Sequence, residues 1–412
     1  MRAQKLDFQI GRPDQGSALP AAALLQSAVA VEPAAGELRI DLFNAMEPLE
    51  ADWRSLESDD FCSLHQSYDW CSAWTKTHGY PLAILRGVCD EKTLFILPME
   101  IVGGRMGRIA RFIASGHSNI NTGLFSAEFL KAASALSSTE LRTRIVDALK
   151  GTADLILLEK LALNWRGRES PLSALPAIEN QNHAFQLPFL ENFEATLKQV
   201  NAKGRRKKFR VQSRRLEAIG GYEHVIAAAD EQHALLDVFF RQKAVRFKAL
   251  GLPDVFDEPK ERAFFHLLLD VDVRNDNYMP LGLHALRLKG EHAGSIVAIA
   301  ALSRKGGHVI CQFASIDQTL VPDTSPGEFL FWLIISHLHQ ESVALFDFGI
   351  GDQLYKRSWC PVETVHHDVI LPISPRGHLA ALAQRATTRA KIFIKKNPRI
   401  YSFIQRRRAS GR

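Results

Sequence analysis

SPGEFLFWLIISHL, residues 325–338, is the stretch whose reading decides the fold. Ser325 stands where a side-chain oxygen can cap the first free N–H groups of a helix. Glu328, three residues on, can reach back and close a capping box. Pro326 falls at the first helical position, where its missing N–H costs nothing. Gly327 lets backbone approach whatever lies above the helix end. Phe329 to Ile335 are all apolar, so the spacing predicts a buried helix. A buried helix whose first turn is open, with N–H groups around Gly327, Glu328 and Phe329, suits an anion as well as a plain capped core helix.

Working outward, 412 residues suggest two domains with appendages. With 46% hydrophobic and 23% charged residues the composition is that of a globular protein. Five scattered cysteines (Cys62, Cys71, Cys89, Cys311, Cys360) show no metal-ligand spacing and read as reduced thiols in a cytoplasmic protein. The apolar run 18–31 is broken by Pro20, Gln26 and Ser27 and is too short to span a bilayer; Asp14 precedes it and no good cleavage site follows, so no signal peptide is expected. The net charge of +6 is local: eleven Lys and Arg and no acid follow Asp368, which leaves residues 1–368 at −5. That asymmetry argues against a surface coated throughout for nucleic acid.

Four segments are expected. Residues 1–36, rich in Ala, Pro, Gly and Gln, read as a mobile arm. A first domain, 37–190, carries strands over 37–43, 81–88, 93–102, 108–115 and 153–161 and helices over 46–56, 68–78 and 127–150. A second domain, 191–375, opens with a basic helix over 192–219, stopped by Gly220-Gly221. It continues with a strand (222–229), two helices (231–250 and 258–270), three strands at hairpin spacing (281–290, 294–302, 308–316), the organising helix, a strand over 344–351, and a last strand or strand pair over 361–373. The tail, 376–412, is helical to about Lys396 and broken by Pro398.

Strand, helix, helix, three antiparallel strands, helix, strand is an order similar to the GNAT acyltransferase fold. Within that superfamily the chain resembles the CelD-type (cellulose-biosynthesis protein D-like) acetyltransferases, which are related to the Fem aminoacyl transferases and have two GNAT-like halves. RRKKFRVQSRRLEAIGG (205–221), SPGEFL (325–330) and FDFGIGDQLYKRSW (346–359) carry the resemblance. The first domain resembles the family's amino-terminal half through Trp70, Trp74, Leu97-Pro98 and the 108–125 segment. The resemblance implies an α/β (α+β) protein of two tandem GNAT-like domains, each a mixed, mostly antiparallel sheet flanked by helices. It implies acetyl-CoA as acyl donor, held by Ser325, Pro326, Gly327, Glu328 and Phe329. The phosphate loop departs from the family's glycine-rich pattern, since one glycine remains beside Pro326.

Acyl transfer from a thioester needs a donor site, a group that takes a proton from the acceptor, and a group that meets the leaving thiolate or the oxyanion. Asp317, closing strand 308–316, and Asp347, inside 344–351, are candidates for proton transfer. Asp317 also reads as a turn residue before Gln318-Thr319. Tyr355 stands where GNAT enzymes often place a tyrosine acid, and Lys356 can pair with Asp347 or Asp352. His284 and Gln312 lie on the hairpin strands and, with Asp352 and Arg206, are candidate substrate-binding residues. His366 and His367 point to opposite faces of a strand, so no metal is expected there.

The expected activity is acyl transfer, most simply of acetyl from acetyl-CoA, to an amine or hydroxyl of a small molecule or cell-envelope polysaccharide precursor. Two alternatives stay open: a Fem-like aminoacyl transferase using charged tRNA, with the basic helix as its contact, and a non-catalytic scaffold in envelope polysaccharide assembly. Phe209 is the sole aromatic in the basic run, which weakens a nucleic-acid reading. The basic tail is a candidate contact for an anionic membrane surface.

Overall fold

Runs of β-branched and aromatic residues build four sheets among the described residues, of seven, five, four and two strands. This computed structural model describes residues 38–104, 107–132, 138–272 and 277–397. The arm expected over 1–36 and the end of the tail, with Pro398, lie outside the described residues. In the first half, β1 (Arg39–Phe43) pairs antiparallel with β2 (Ile84–Cys89), and β2 with β3 (Lys92–Leu97). One strand was expected over 93–102, but Pro98 cannot donate to a ladder and divides it. β4 (Met99–Gly104) turns into a different sheet and pairs with β5 (Gly107–Phe112). Between β1 and β2 in the chain, α1 (Glu50–Glu57) and α2 (Tyr68–His78) pack Trp53, Trp70 and Trp74 into the core. A two-residue strand, β6 (Leu124–Phe125), adds to β3, and α3 (Ala127–Ala132) and α4 (Ser138–Ala148) cross over to β7 (Leu155–Leu161), parallel to β5.

A small hairpin, β8 (Asn164–Trp165) and β9 (Arg168–Glu169), precedes β10 (Ala177–Glu179) and β11 (Ala184–Pro188). The second half opens with two helices where one was expected: α5 (Phe193–Lys198) and α6 (Ala202–Ala218), each capped by an asparagine, Asn192 and Asn201. Then follow β12 (Tyr222–Ile226), α7 (Gln232–Leu250), α8 (Pro259–Leu269), β13 (Tyr278–Leu288), β14 (Ile296–Lys305) and β15 (His308–Ile316). The organising helix, α9 (Pro326–Leu338), crosses to β16 (Leu345–Ile350), parallel to β15. After α10 (Leu354–Trp359) come β17 (Val362–Thr364), β18 (His367–Pro372) and α11 (Pro375–Lys396).

Each half therefore holds one parallel pair joined by a helical crossover, β5 with β7 and β15 with β16. Next to each pair the halves exchange a strand. β11, which precedes the second half, sits between β16 and β17, whereas β18, near the end of the chain, sits between β7 and β10. The 361–373 segment expected in the second domain is thus a strand pair divided between the seven- and five-stranded sheets. One apolar cluster joins Trp70 and Trp74 of the first half to Phe239, Phe264 and Phe265 of the second.

Not one residue of α9 is exposed, as its apolar run requires. Its buried side chains, Phe329, Leu330, Ile334, Ile335 and Leu338, each contribute roughly 1.5–3 kcal/mol of transfer free energy. α11 lays Ala380 and Ala381 on Leu155, Leu157 and Ile370 of the five-stranded sheet. Among the described residues no helix is long and apolar enough to cross a membrane.

Candidate active site at the divergence of two parallel strands

β15 and β16 pair over only three positions, from His308 with Leu345 to Ile310 with Asp347, and then diverge. A register shift on the other edge of β15 skips Gln312, which faces no partner on β14. Such a bulge bends the strand and frees ladder groups. The gap has two faces. On one, Cys311, Phe348 and Tyr355 belong to the cluster under α9. On the other, Phe313 packs with Phe256 and Phe265 from the α7–α8 side.

The first half plugs this gap. Asn119 donates its Nδ2–H to Gln312 Oε1 (2.8 Å) and accepts the Ile350 N–H at Oδ1 (3.3 Å), so one amide bridges both strands. His65 Nε2 lies 3.1 Å from the same Gln312 oxygen, and burial pulls this imidazole down to about 4. Gln312 in turn donates to Ser303 Oγ at 3.0 Å. Beside Asn119 a pocket of about 130 Å³ is lined by His117, Asn119, Gln312, Phe256, Phe265 and Phe313, among others. His117 Nε2 is 2.5 Å from Glu261 Oε2 of α8.

A wider groove of about 650 Å³ runs along α7 and the outgoing end of β15, lined by Arg241, Gln242, Arg246 and residues 316–320. The five residues expected to cradle a diphosphate, Ser325 to Phe329, do not line it. Gly327 seats directly on β15: a Cβ there would stand 2.9 Å from Ile316 Cγ2. The capping box does not form. Ser325 makes no side-chain cap, and its N–H donates to Gln212 Oε1 at 3.3 Å. Glu328 turns away from the helix start to Arg205 (3.2 Å) and Lys208 (2.8 Å) of the basic helix. A buried arginine and an exposed lysine together outcompete one backbone N–H for a carboxylate. Glu328 and Phe329 line a cleft of about 10 Å³ against α6, closed by Phe209, Trp332 and Trp359, with the Arg205 guanidinium 3.6 Å above the Trp359 ring.

The remaining expected residues fall into distinct settings. Tyr355 stacks on Phe331 at 5.8 Å beside the gap, and burial raises its phenol well above the ordinary value. Full proton transfer to a thiolate is then uphill, so its hydroxyl suits hydrogen-bond donation to a leaving sulfur better than the proton donation expected from sequence. Asp347 is 1% exposed and does not pair with Lys356. It accepts from Gln186 Nε2 and from the Gly349 N–H, both at 2.7 Å, with His308 Nε2 at 3.4 Å. Lys356 instead donates to the carbonyls of Ile350 (2.7 Å) and Gly349 (3.3 Å), closing the end of β16; burial lowers its ammonium from the usual lysine value.

Asp317 closes a turn by accepting from the Thr319 N–H (2.9 Å) and hydroxyl (2.7 Å). It nonetheless lines the wide groove. Asp352 forms a two-pronged surface pair with Arg357, and Arg206 pairs with Glu194 away from the gap. His284 faces His224 (3.0 Å) under α9, and burial pulls it to about 3, so it is a packed neutral histidine. Burial likewise pushes Cys311 up to about 12, which keeps the thiol protonated and inert. Gln312 alone among the expected substrate residues lines the inter-half pocket. His117, Asn119 and Glu261 carry no local signal: each sits in an ordinary polar context and gains its place from partners over 100 residues away.

Residues 203–357 match the family model described as an acetyltransferase (GNAT) domain. Among solved structures, the chain is similar to the crystal structure of FemX, with a TM-score of 0.56 at 11% identity, over 81% of this chain and 98% of that one. It is also similar to the C-terminal domain of a putative lysylphosphatidylglycerol synthetase from Agrobacterium fabrum, with a TM-score of 0.51 at 14% identity, over 84% and 97% of the two chains. At such identities the likeness is one of fold. No curated protein matches the sequence.

Proposed function

We propose that this protein transfers an acyl group, acetyl from acetyl-CoA, to the amine or hydroxyl of a small molecule or envelope-polysaccharide precursor. The observation that supports it most is the gap between β15 and β16, with the bulge at Gln312, Tyr355 on one face and a polar pocket on the other. Beyond Ile310 the β16-facing edge of β15 has no strand partner, so an amide-bearing arm such as pantetheine can pair along it. Arg241 and Arg246, in the groove at the outgoing end of β15, suit the phosphates of such a donor. When bound, the thioester supplies an activated acyl carbon and a thiolate leaving group. Tyr355 would offer its O–H to that sulfur. The FDFGIGDQLYKRSW block, folded as β16, its turn and α10, is what favours the CelD-type assignment within the GNAT superfamily.

Titration calorimetry with acetyl-CoA tests the reading. Binding is expected, weakened at least about tenfold by Arg246→Glu, because a carboxylate replaces a cation facing phosphate. Folded protein that gives no heat at millimolar acetyl-CoA refutes the donor.

A lipid surface as the place of work has its own support. α11 exposes Leu379 (69%), Leu382 (63%) and Phe393 (60%) on one side, among the exposed cations Arg376, Arg389 and Lys391. Apolar side chains in a basic helix suit an anionic interface. The protein is expected to sediment with phosphatidylglycerol vesicles, far less with phosphatidylcholine, and to be released by Leu382→Glu. Equal recovery with both lipids rejects the contact.

A further inference from the structure

Between the halves, the 130 Å³ pocket carries a histidine–carboxylate pair that the donor reading leaves unused. His117 comes from the turn after β5, held by its N–H bond to the Ala114 carbonyl. Its Nε2 meets Glu261, and its Nδ1 has no hydrogen-bond partner among the described residues. Phe264 and Phe265 flank the ring at 6.1 and 5.2 Å, and Trp74 at 5.7 Å, fixing its plane. A carboxylate on one imidazole nitrogen selects the tautomer whose other nitrogen accepts a proton, and stabilises the cation that forms.

We propose that His117, oriented by Glu261, takes the proton from the acceptor nucleophile, and that the acceptor enters this pocket with a hydroxyl or amine on a ring-sized, uncharged group. This rests on the acyl-transfer reading above. The acceptor class follows from the walls. Three phenylalanines and two carboxamides line the pocket, and no acid, lysine or arginine does. An apolar cavity of about 150 Å³ holds a benzene ring, which sets the scale.

The step balances without another reagent. The nucleophile attacks the thioester carbon, the new C–N or C–O bond forms, and its proton passes to the His117 imidazole. The C–S bond breaks with its electron pair on sulfur, and the thiolate takes a proton from solvent while Tyr355 donates a hydrogen bond to it. His117 then returns its proton to solvent. Glu261 is a positioning residue.

The charged and titratable groups around the pair come from four elements, α2, β4, β5 and α8 itself. Glu261 also faces His78 Nε2 of α2 at 3.4 Å. Glu100 of β4, paired with Arg111 of β5 at 2.8 Å, lies behind them, and Lys260 stands beside Glu261 at the rim. Burial pushes the Glu261 carboxyl up, but His117 and His78 outweigh it and hold the group below its usual value, so it is ionised at neutral pH.

The test follows CoA release from acetyl-CoA by the full chain between pH 5.5 and 9, to water and to benzylamine as acceptor probe. The wild-type rate is expected to rise with loss of one proton. His117→Ala should lower it about 100-fold or more with acetyl-CoA affinity within twofold, and added imidazole should restore part of the loss. Glu261→Gln should move the midpoint of the pH profile to lower pH, since the imidazolium loses its counter-charge; a merely structural glutamate would leave the midpoint in place. If His117→Ala keeps the wild-type rate and profile, the base assignment is overturned while the donor stands. Wild-type protein that binds acetyl-CoA yet releases no CoA at any pH also overturns the base alone. Absence of acetyl-CoA binding removes the donor reading, and this assignment with it.

Discussion

Asp347→Asn should cost about 3 kcal/mol of folding stability at pH 7, because three partners surround the carboxylate and its two oxygen contacts at 2.7 Å are both donors. An asparagine offers one acceptor oxygen and one NH2. That NH2 must face either the Gln186 side-chain amide or the Gly349 N–H, and donor meets donor in a site that excludes water. Denaturant unfolding would show a lower midpoint at unchanged slope. Burial alone would raise the Asp347 carboxyl, but His308, Gln186 and the Gly349 N–H together hold it below the ordinary aspartate value. A depressed folded value contributes stability that is complete above the unfolded pKa, about 3.9, and is lost as pH falls through the folded one. The gap between wild type and Asp347→Asn should therefore be full at pH 6 and narrow below pH 4. An equally stable variant that has lost only turnover would return Asp347 to the proton-transfer role expected from sequence.

Gly349→Ala is expected to be about as damaging, for a steric reason at the junction of the halves. Gly349 has φ +70°, where a Cβ costs roughly 1–2 kcal/mol. The added Cβ would also stand 2.8 Å from Asn119 Oδ1 and 3.3 Å from the Cys311 carbonyl oxygen. Asn119 would have to withdraw, giving up the Ile350 N–H and shifting from Gln312, and the bridge across the diverging strands would open. A loss of about 3 kcal/mol follows, with weaker acetyl-CoA binding. Gly79→Ala is the control: its φ is +63°, but nothing lies within 4 Å of the added carbon, so about 1 kcal/mol is expected. Equal losses in the two variants would show that Asn119 does not hold the gap.

What the exchange of β11 and β18 does to the molecule bears on both predictions. Cutting the chain near 190 would take the neighbour of β16 from the seven-stranded sheet, and Gln186, the partner of Asp347, lies on that strand. The halves share one structure through these strands, through the Trp70–Phe264 contact at 5.1 Å, and through Asn119.

Local pattern was enough for the elements. The apolar run after Ser325 determined a buried helix, residues 308–316 a strand and Tyr68–His78 a helix, because periodicity acts between neighbours in sequence. The resemblance carried by FDFGIGDQLYKRSW named the order of elements in which these lie. Tertiary structure alone decided the rest. Glu328 was drawn out of its capping box by Arg205 and Lys208, 123 and 120 positions away, and His117 met Glu261 144 positions on. The 200s helix turned one cation, Arg205, inward onto Trp359 although its sequence marks every Lys and Arg alike. Charge pairing and desolvation depend on distance through space, and a one-dimensional pattern holds no record of which distant side chains the sheets will bring together.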